Sequence, residues 1–256
     1  MKSKLIILGC GSSIGVPRID GSWGKCNPNE KKNYRSRCSA IIIKNSNAVM
    51  IDTSPDIKSQ LILNKIKTIS SVIFTHDHAD QTNGLFELRP FFWLSKKRIN
   101  IYGDRNTLKS LVKRQSYLFK KSKSYPAILK TNIVKSSFSL GNGHSKISFN
   151  TFKVKHGQIF SVAYVFEKTA YISDCNDLSI VSNPRLKNLN NLVIDCLKFK
   201  KHPSHFNFED AIYIHSKLNP KKTILTNMHS DLDYNYLRKN LPNNIIPSYD
   251  GLSLNL

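Results

Sequence analysis

The sequence predicts an α/β (α+β) chain in which two β-sheets pack face to face with helices outside. Two observations carry that expectation. Strand-like apolar runs dominate both halves of the 256 residues, and each half also carries helical patterns. Several of those runs deliver a histidine or an aspartate just as they end, so that one sheet edge could gather them. No low-complexity linker or repeat divides the chain, and residues 1–256 are read as a single domain.

Composition is that of a soluble globular protein, with 40% hydrophobic and 22% charged residues, and no apolar run approaches the length of a membrane span. The opening MKSKLIILGCGSS has no signal-like cleavage region and reads as a first strand entering a glycine turn. Five scattered cysteines make no disulfide framework and point to a reducing cytoplasm. A formal charge of +22 suits an anionic substrate or nucleic acid, but the Lys-, Asn- and Ile-rich bias of the chain accounts for it more simply.

In chain order, residues 4–8 form the first expected strand and open into GCGSSIGVPR. Closely spaced glycines permit a tight turn beside an anion. The spacing is not that of a dinucleotide fold, and Pro17 opposes a following helix. This loop is expected to border an active site, with Arg18 available to a phosphate. Residues 19–39 show no periodic element; Cys26 and Cys38 are too few thiols for a closed metal site. A hairpin follows, residues 40–44 and 49–52, across Asn45-Ser46-Asn47. Ser54 is read as an N-cap and Pro55 as the first residue of a helix reaching about Asn64.

After a strand at residues 71–75, a short helix is expected from Asn83, its apolar residues running into Phe91, Phe92 and Trp93. A strand at 99–102, a helix from Arg105 to about Phe119 and a basic loop at 120–125 come next. Lys109, Lys113, Arg114, Lys120, Lys121 and Lys123 interleave with Tyr117, Phe119 and Tyr125. That pattern suits single-stranded nucleic acid, though a solvated helix face is the simpler reading. Short strands are expected at 131–134, 146–154, 161–167, 169–173, 192–194, 223–226 and 245–248. Helices are expected at 208–218, capped by Asn207, and near 232–240.

The whole is organised around residues 71–81, SVIFTHDHADQ. If the backbone stays extended past Thr75, then His76, His78 and Asp80 project on one side, two imidazoles and a carboxylate suited to a zinc-type cation. Later strand ends deliver His156, Asp174, Asp195, and Asn227 with His229. His144 and His215 are read as structural or solvated, His202 as peripheral, and Asp52 and Asp195 as orienting their neighbours.

These motifs resemble those of metallo-β-lactamase-fold hydrolases. The residues that carry the resemblance are LGCGSSIGVP, IDTSPD, THDHAD, GLFELR, Lys155-His156-Gly157, Ser173-Asp174, His205 with Asn207, and Thr226-Asn227-Met228-His229. They are most similar to the PhnP-like phosphoribosyl 1,2-cyclic phosphate phosphodiesterases and, further off, to RNase Z-type nucleases. The resemblance implies a four-layer αββα sandwich with a site at the sheet edge and Zn2+ or Mn2+, one or two per chain. It assigns His76, His78 and His156 to the first metal, Asp174 to a bridging position, and Asp80 and His229 to a second. His205 is placed to face the phosphate or protonate the leaving group. Two departures stand out: Gln81 where the family has histidine, and Asn227 where it often has another. Gln81 would be a weaker, oxygen-donating ligand. The cysteine cluster of some PhnP-like proteins is incomplete.

The function expected is hydrolysis of a phosphodiester in a small cyclic or nucleotide-like phosphate ester. Hydroxide generated on the metal attacks phosphorus, Asp80 orients it or takes its proton, and His205 protonates the departing oxygen. The alternatives are a mononuclear thioester hydrolase or persulfide dioxygenase, an RNA-processing nuclease, and a degenerate RNA- or protein-binding member. The partner expected is a small phosphorylated substrate, with RNA the lesser expectation because no long tRNA-binding arm is evident. A homodimer is left open and a membrane is not expected.

Overall fold

The computed structural model describes residues 3–256; Met1 and Lys2, with which the leader-free reading of the N-terminus begins, lie outside the described residues. The chain lays down β1 (Ser3–Gly9), β2 (Ser39–Lys44), β3 (Asn47–Ile51), α1 (Ile57–Leu63), β4 (Ser71–Ile73), α2 (Ala79–Thr82) and α3 (Arg89–Ser95). There follow β5 (Ile99–Gly103), α4 (Arg105–Arg114), α5 (Ser116–Phe119), β6 (Leu129–Ile133), β7 (Ser137–Leu140), β8 (Ile147–His156), β9 (Ile159–Phe166) and β10 (Thr169–Ile172). The last elements are β11 (Asn191–Asp195), α6 (Phe208–Leu218), β12 (Lys222–Thr226), α7 (Tyr234–Asn240), β13 (Ile245–Pro247) and β14 (Ser253–Asn255).

These strands make two mixed sheets of seven, ordered β14-β1-β2-β3-β4-β5-β6 and β13-β12-β11-β10-β9-β8-β7. Within the first, β3 to β6 run parallel; within the second, β10 to β13 do. Parallel strands covered on both faces should be apolar throughout, and β3 and β11 are buried along their whole length. The antiparallel β8 instead alternates buried and exposed residues, its inner set including Ile147, Phe149 and Val154.

The two sheets meet through Leu5, Ile42, Ile51 and Ile73 on one side and Phe149, Tyr164, Phe166 and Ile194 on the other. A second cluster places α1, α4 and α5 on the outer face of the first sheet through Leu61, Leu111 and Leu118. Ala211, Ile214 and Leu237 bring α6 and α7 into the larger cluster. This is the four-layer arrangement expected. Among the described residues no helix is long and apolar enough to cross a membrane.

Local chemistry moved several boundaries. The strand expected at 71–75 ends at Ile73, and the chain re-enters a helix at Ala79 instead of staying extended to Asp80. The helix expected to be capped by Ser54 starts two residues later, because the Ser54 hydroxyl is engaged with Gln60 Oε1 and the Asp56 amide. The expected helix from Arg105 to Phe119 is broken at Gln115, whose φ of −130° is not helical. In the hairpin, Lys44 pairs directly with Asn47 across a two-residue Asn45-Ser46 turn. The short polar strands β7 and β14 carry too little apolar pattern to be foreseen from sequence.

Asp56 ties α1 to the long polar segment. Its carboxylate accepts from the Arg37 backbone amide at 2.9 Å, Nε at 2.8 Å and Nη2 at 2.5 Å. Burial alone would raise the Asp56 pKa, but these bonds outweigh it and hold the carboxyl below its ordinary value. A depressed folded pKa gives stability that is present above the unfolded carboxylate pKa, about 3.9, and lost as pH falls through the folded value. Asp56→Asn is therefore expected to flatten the acid limb of the stability–pH curve, measured by denaturant unfolding between pH 5 and 2; an unchanged slope would remove this role.

Candidate metal centre

Every element that feeds the site ends at the same rim. His76 and His78 follow β4, Asp80 and Gln81 form the first turn of α2, and His156 closes β8. Asp174 follows β10, Asp195 ends β11, His205 lies between β11 and α6, and Asn227 and His229 follow β12. The α2 turn is held against residues 52–54: the Thr53 amide donates to the Gln81 carbonyl and the Gly84 amide to the Thr53 carbonyl. A Cβ on Gly84 would collide with the Ser54 carbonyl oxygen, so this close approach needs glycine.

Ring nitrogens of His76, His78 and His156 lie within 4.8 Å of one another. His76 Nε2 is 3.0 Å and His156 Nε2 3.2 Å from His78 Nδ1. Surrounding groups set the tautomers. Thr75 Oγ1 donates to Asp52 Oδ2 at 2.8 Å and so accepts from His76 Nδ1 at 3.0 Å. His156 Nδ1 donates to the Ser204 carbonyl at 2.7 Å. Both Nε2 atoms therefore turn unprotonated lone pairs toward the same point. Burial lowers the His76 pKa to about 4 and also lowers that of His78, keeping these imidazoles neutral. Lone pairs pointed at one another repel unless a cation lies between them, so the donor set fits one divalent metal held by His76, His78 and His156.

Asp174 is 2% exposed, with Oδ1 3.9 Å from His156 Nε2 and 3.9 Å from His205 Nδ1. Burial would raise its pKa, but the three imidazoles of His76, His156 and His205 outweigh this and lower it. His205 Nδ1 bonds to Asp195 Oδ2 at 2.8 Å. Burial alone would depress the imidazole, but the Asp195 carboxylate raises it to about 9. Asp195 itself is pushed up to about 6 by burial, so the pair is ionised at neutral pH. Burial and the neighbouring Asp174 also raise Asp80 to about 6.

His156, Asp174 and His205 form a second grouping of close ligand atoms. His229 lines the same pocket but belongs to neither grouping; its Nδ1 sits 3.5 Å from Asp231 Oδ1. Gln81 donates through Nε2 to Asp80 Oδ2 and Asp174 Oδ2 at 3.4 and 3.3 Å. The pocket has a volume of about 410 Å3, and its wall includes Ser12, Ser13 and Ile14 of the glycine turn, Lys198 and His202.

Other candidates lie elsewhere. Arg18 is paired with Asp20 at 2.5 Å and does not line this pocket. All five cysteines are buried, and among the described residues none joins a grouping of metal ligands. His215 bonds to Thr223 Oγ1 at 2.8 Å, a structural role. The sequence reading of Asp52 as an orienting group agrees with its contact to Thr75. What it lacked was a way to see Asn227 as a hydrogen-bond partner of Asp174, at 3.2 Å. Asn227 and Asp52 both adopt φ near 60°, which lets them turn back into the rim at strand ends.

A family model for the beta-lactamase superfamily domain matches residues 47–228. Among solved structures, a diphosphatase of the PhnP family is similar with a TM-score of 0.88 and 29% identity, over 100% of this chain and 98% of that one. Zinc-bound PqqB of Methylobacterium extorquens is similar in fold, with a TM-score of 0.79 and 16% identity over 99% and 100% of the two chains. An octanoyltransferase of Porphyromonas gingivalis (strain ATCC BAA-308 / W83) is 28% identical over 253 residues, 97% of this chain, and this chain spans 51% of that protein's length.

The tautomer argument makes a specific demand on Thr75, which is fully buried. Thr75→Val keeps the shape and removes the hydroxyl between Asp52 and His76. Metal affinity is expected to fall by about 10–100-fold, read by competition with a chromogenic chelator; undiminished affinity would mean that the hydroxyl does not orient the ligand.

Proposed function

The chain belongs to the beta-lactamase superfamily and has the metallo-β-lactamase fold, PhnP-like; from that premise we propose that it is a metal-dependent hydrolase of a P–O bond in a small phosphodiester or diphosphate. The observation that carries the reading is His205, paired to Asp195 and placed 4.7 Å, ring to ring, from His156 on the wall of the same pocket. A charged imidazole there is a proton donor, and a P–O bond breaks by expelling an oxygen that needs one. Zinc suits the three imidazole donors better than manganese, which favours oxygen.

When bound, the ion supplies Lewis acidity toward a phosphoryl oxygen and makes a water acidic near neutral pH. The chain's own residues do the rest. Asp80 accepts the proton of the attacking water, and Lys198 faces the phosphoryl charge. His205 delivers its proton to the leaving oxygen while Asp195 steadies the imidazolium. The fit of a small substrate follows from the pocket's size. Among the described residues of its wall, Ile14 and Leu197 are the large apolar side chains, a poor surface for the acyl chain that an octanoyl group would present.

The test is hydrolysis of bis(p-nitrophenyl) phosphate and of a dinucleoside diphosphate by protein loaded with zinc or manganese. Turnover lost on chelation and in His76→Ala is expected; folded, metal-loaded protein inert toward every phosphodiester and diphosphate would end the proposal.

For His205→Ala, kcat should fall by about 10²–10⁴-fold on substrates whose leaving group is an alkoxide. The loss should be much smaller with p-nitrophenolate, which departs without a proton. An equal loss on both would remove the acid role.

A further inference from the structure

We infer that this centre holds a single divalent ion, and that the amides of Gln81 and Asn227 take the room a second would need. The inference rests on the metal-hydrolase reading above and sharpens it. A second ion at this rim would sit between Asp80 and Asp174 and draw on their outward lone pairs. Those lone pairs are already engaged. Gln81 Nε2 lies 3.3 Å from Asp174 Oδ2 and 3.4 Å from Asp80 Oδ2, and Asn227 Nδ2 lies 3.2 Å from Asp174 Oδ1. Each amide turns the positive end of its dipole toward the carboxylates, against any cation that approached.

Turned over, each amide would set its carbonyl oxygen against a carboxylate, and Asn227 would exchange its bond to the Ser173 carbonyl at 3.1 Å for one accepted from His205 Nδ1, 3.2 Å away. Gln81 leaves its own Oε1 buried without a partner, so contact with the two carboxylates decides its orientation. Both side chains are enclosed, at 0% and 1% exposure, which leaves them little freedom to rotate. The remaining nitrogen donor, His229, lines the pocket but joins neither grouping of ligand atoms. Its Nδ1 contacts Ser230 Oγ at 3.4 Å and Asp231 Oδ1 at 3.5 Å. Gln81 and Asn227 thus act as positioning residues. They fix the Asp174 carboxylate by neutral hydrogen bonds, with an oxygen toward the imidazoles that hold the ion.

Metal counting tests this without reference to turnover. Native protein is loaded with excess Zn2+, desalted, and its metal-to-protein ratio measured by mass spectrometry. A Mn2+ titration followed by electron paramagnetic resonance reports weaker binding. One equivalent and no exchange-coupled manganese pair are expected. Gln81→His combined with Asn227→His, checked for folding by circular dichroism, should raise the ratio to two. Two equivalents or a coupled pair in native protein would overturn the inference while leaving the hydrolase reading intact. A folded double variant still at one would show that these amides do not exclude the ion. Native protein that binds none removes both readings. Should the double variant not fold, the native count decides alone.

Discussion

The site depends on one join between the sheets. Val162 of β9 donates its backbone amide to the Thr75 carbonyl at 2.8 Å, and the buried Tyr164 hydroxyl donates to the Phe74 carbonyl at 2.7 Å. Both bonds land on the short segment between β4 and His76. Because that segment belongs to the first sheet and its donors to the second, they set how far apart the two halves of the rim can be. His76 and His78 come from one side and His156 and Asp174 from the other, and imidazole nitrogens a few ångströms apart tolerate little play. The apolar interface around Phe149 and Tyr164 supplies the driving force for closure but no register at this scale; hydrogen bonds do.

Around the reacting groups lies a ring of polar partners whose function is orientation. Asp52 works through Thr75 on His76, the Ser204 carbonyl holds His156, Asp195 holds His205, and Gln81 and Asn227 hold Asp174. All four sets are enclosed, where an unmatched polar group is costly, so each bond is both an aligning and a stabilising contact. A charge of +22 spread over the chain plays a different part, favouring encounter with anions at longer range.

Much of this could be read from the sequence, for reasons that differ from residue to residue. Apolar runs that end in His or Asp marked the rim correctly at His76, Asp174 and Asp195, because strand burial and strand termination are both local signals. The H-x-H-x-D spacing pointed to groups that the structure does bring to one rim, although its geometric premise was wrong. Asp80 reaches the site from the first turn of α2, not from an extended chain. The N-cap shifted from Ser54 to Asp56 because Gln60, a turn further on, captured the serine hydroxyl, a tertiary competition no propensity records. The direction in which Gln81 and Asn227 point their amides was illegible for the same reason. It is set largely by Asp174 on another element, more than fifty residues from Asn227 and more than ninety from Gln81.

The three imidazoles that converge at the rim do not come from one sheet: two are carried by the loop after β4 and one by the end of β8. An ion gripped by all of them is a staple across the sandwich as well as a reagent. Its loss would unfasten the layers at the rim that carries the site. The protein's resistance to unfolding is thereby tied to the free concentration of metal around it, rising with the logarithm of that concentration. A catalyst built this way reports on its own loading, since the molecules lacking the ion are also the ones whose working edge opens first.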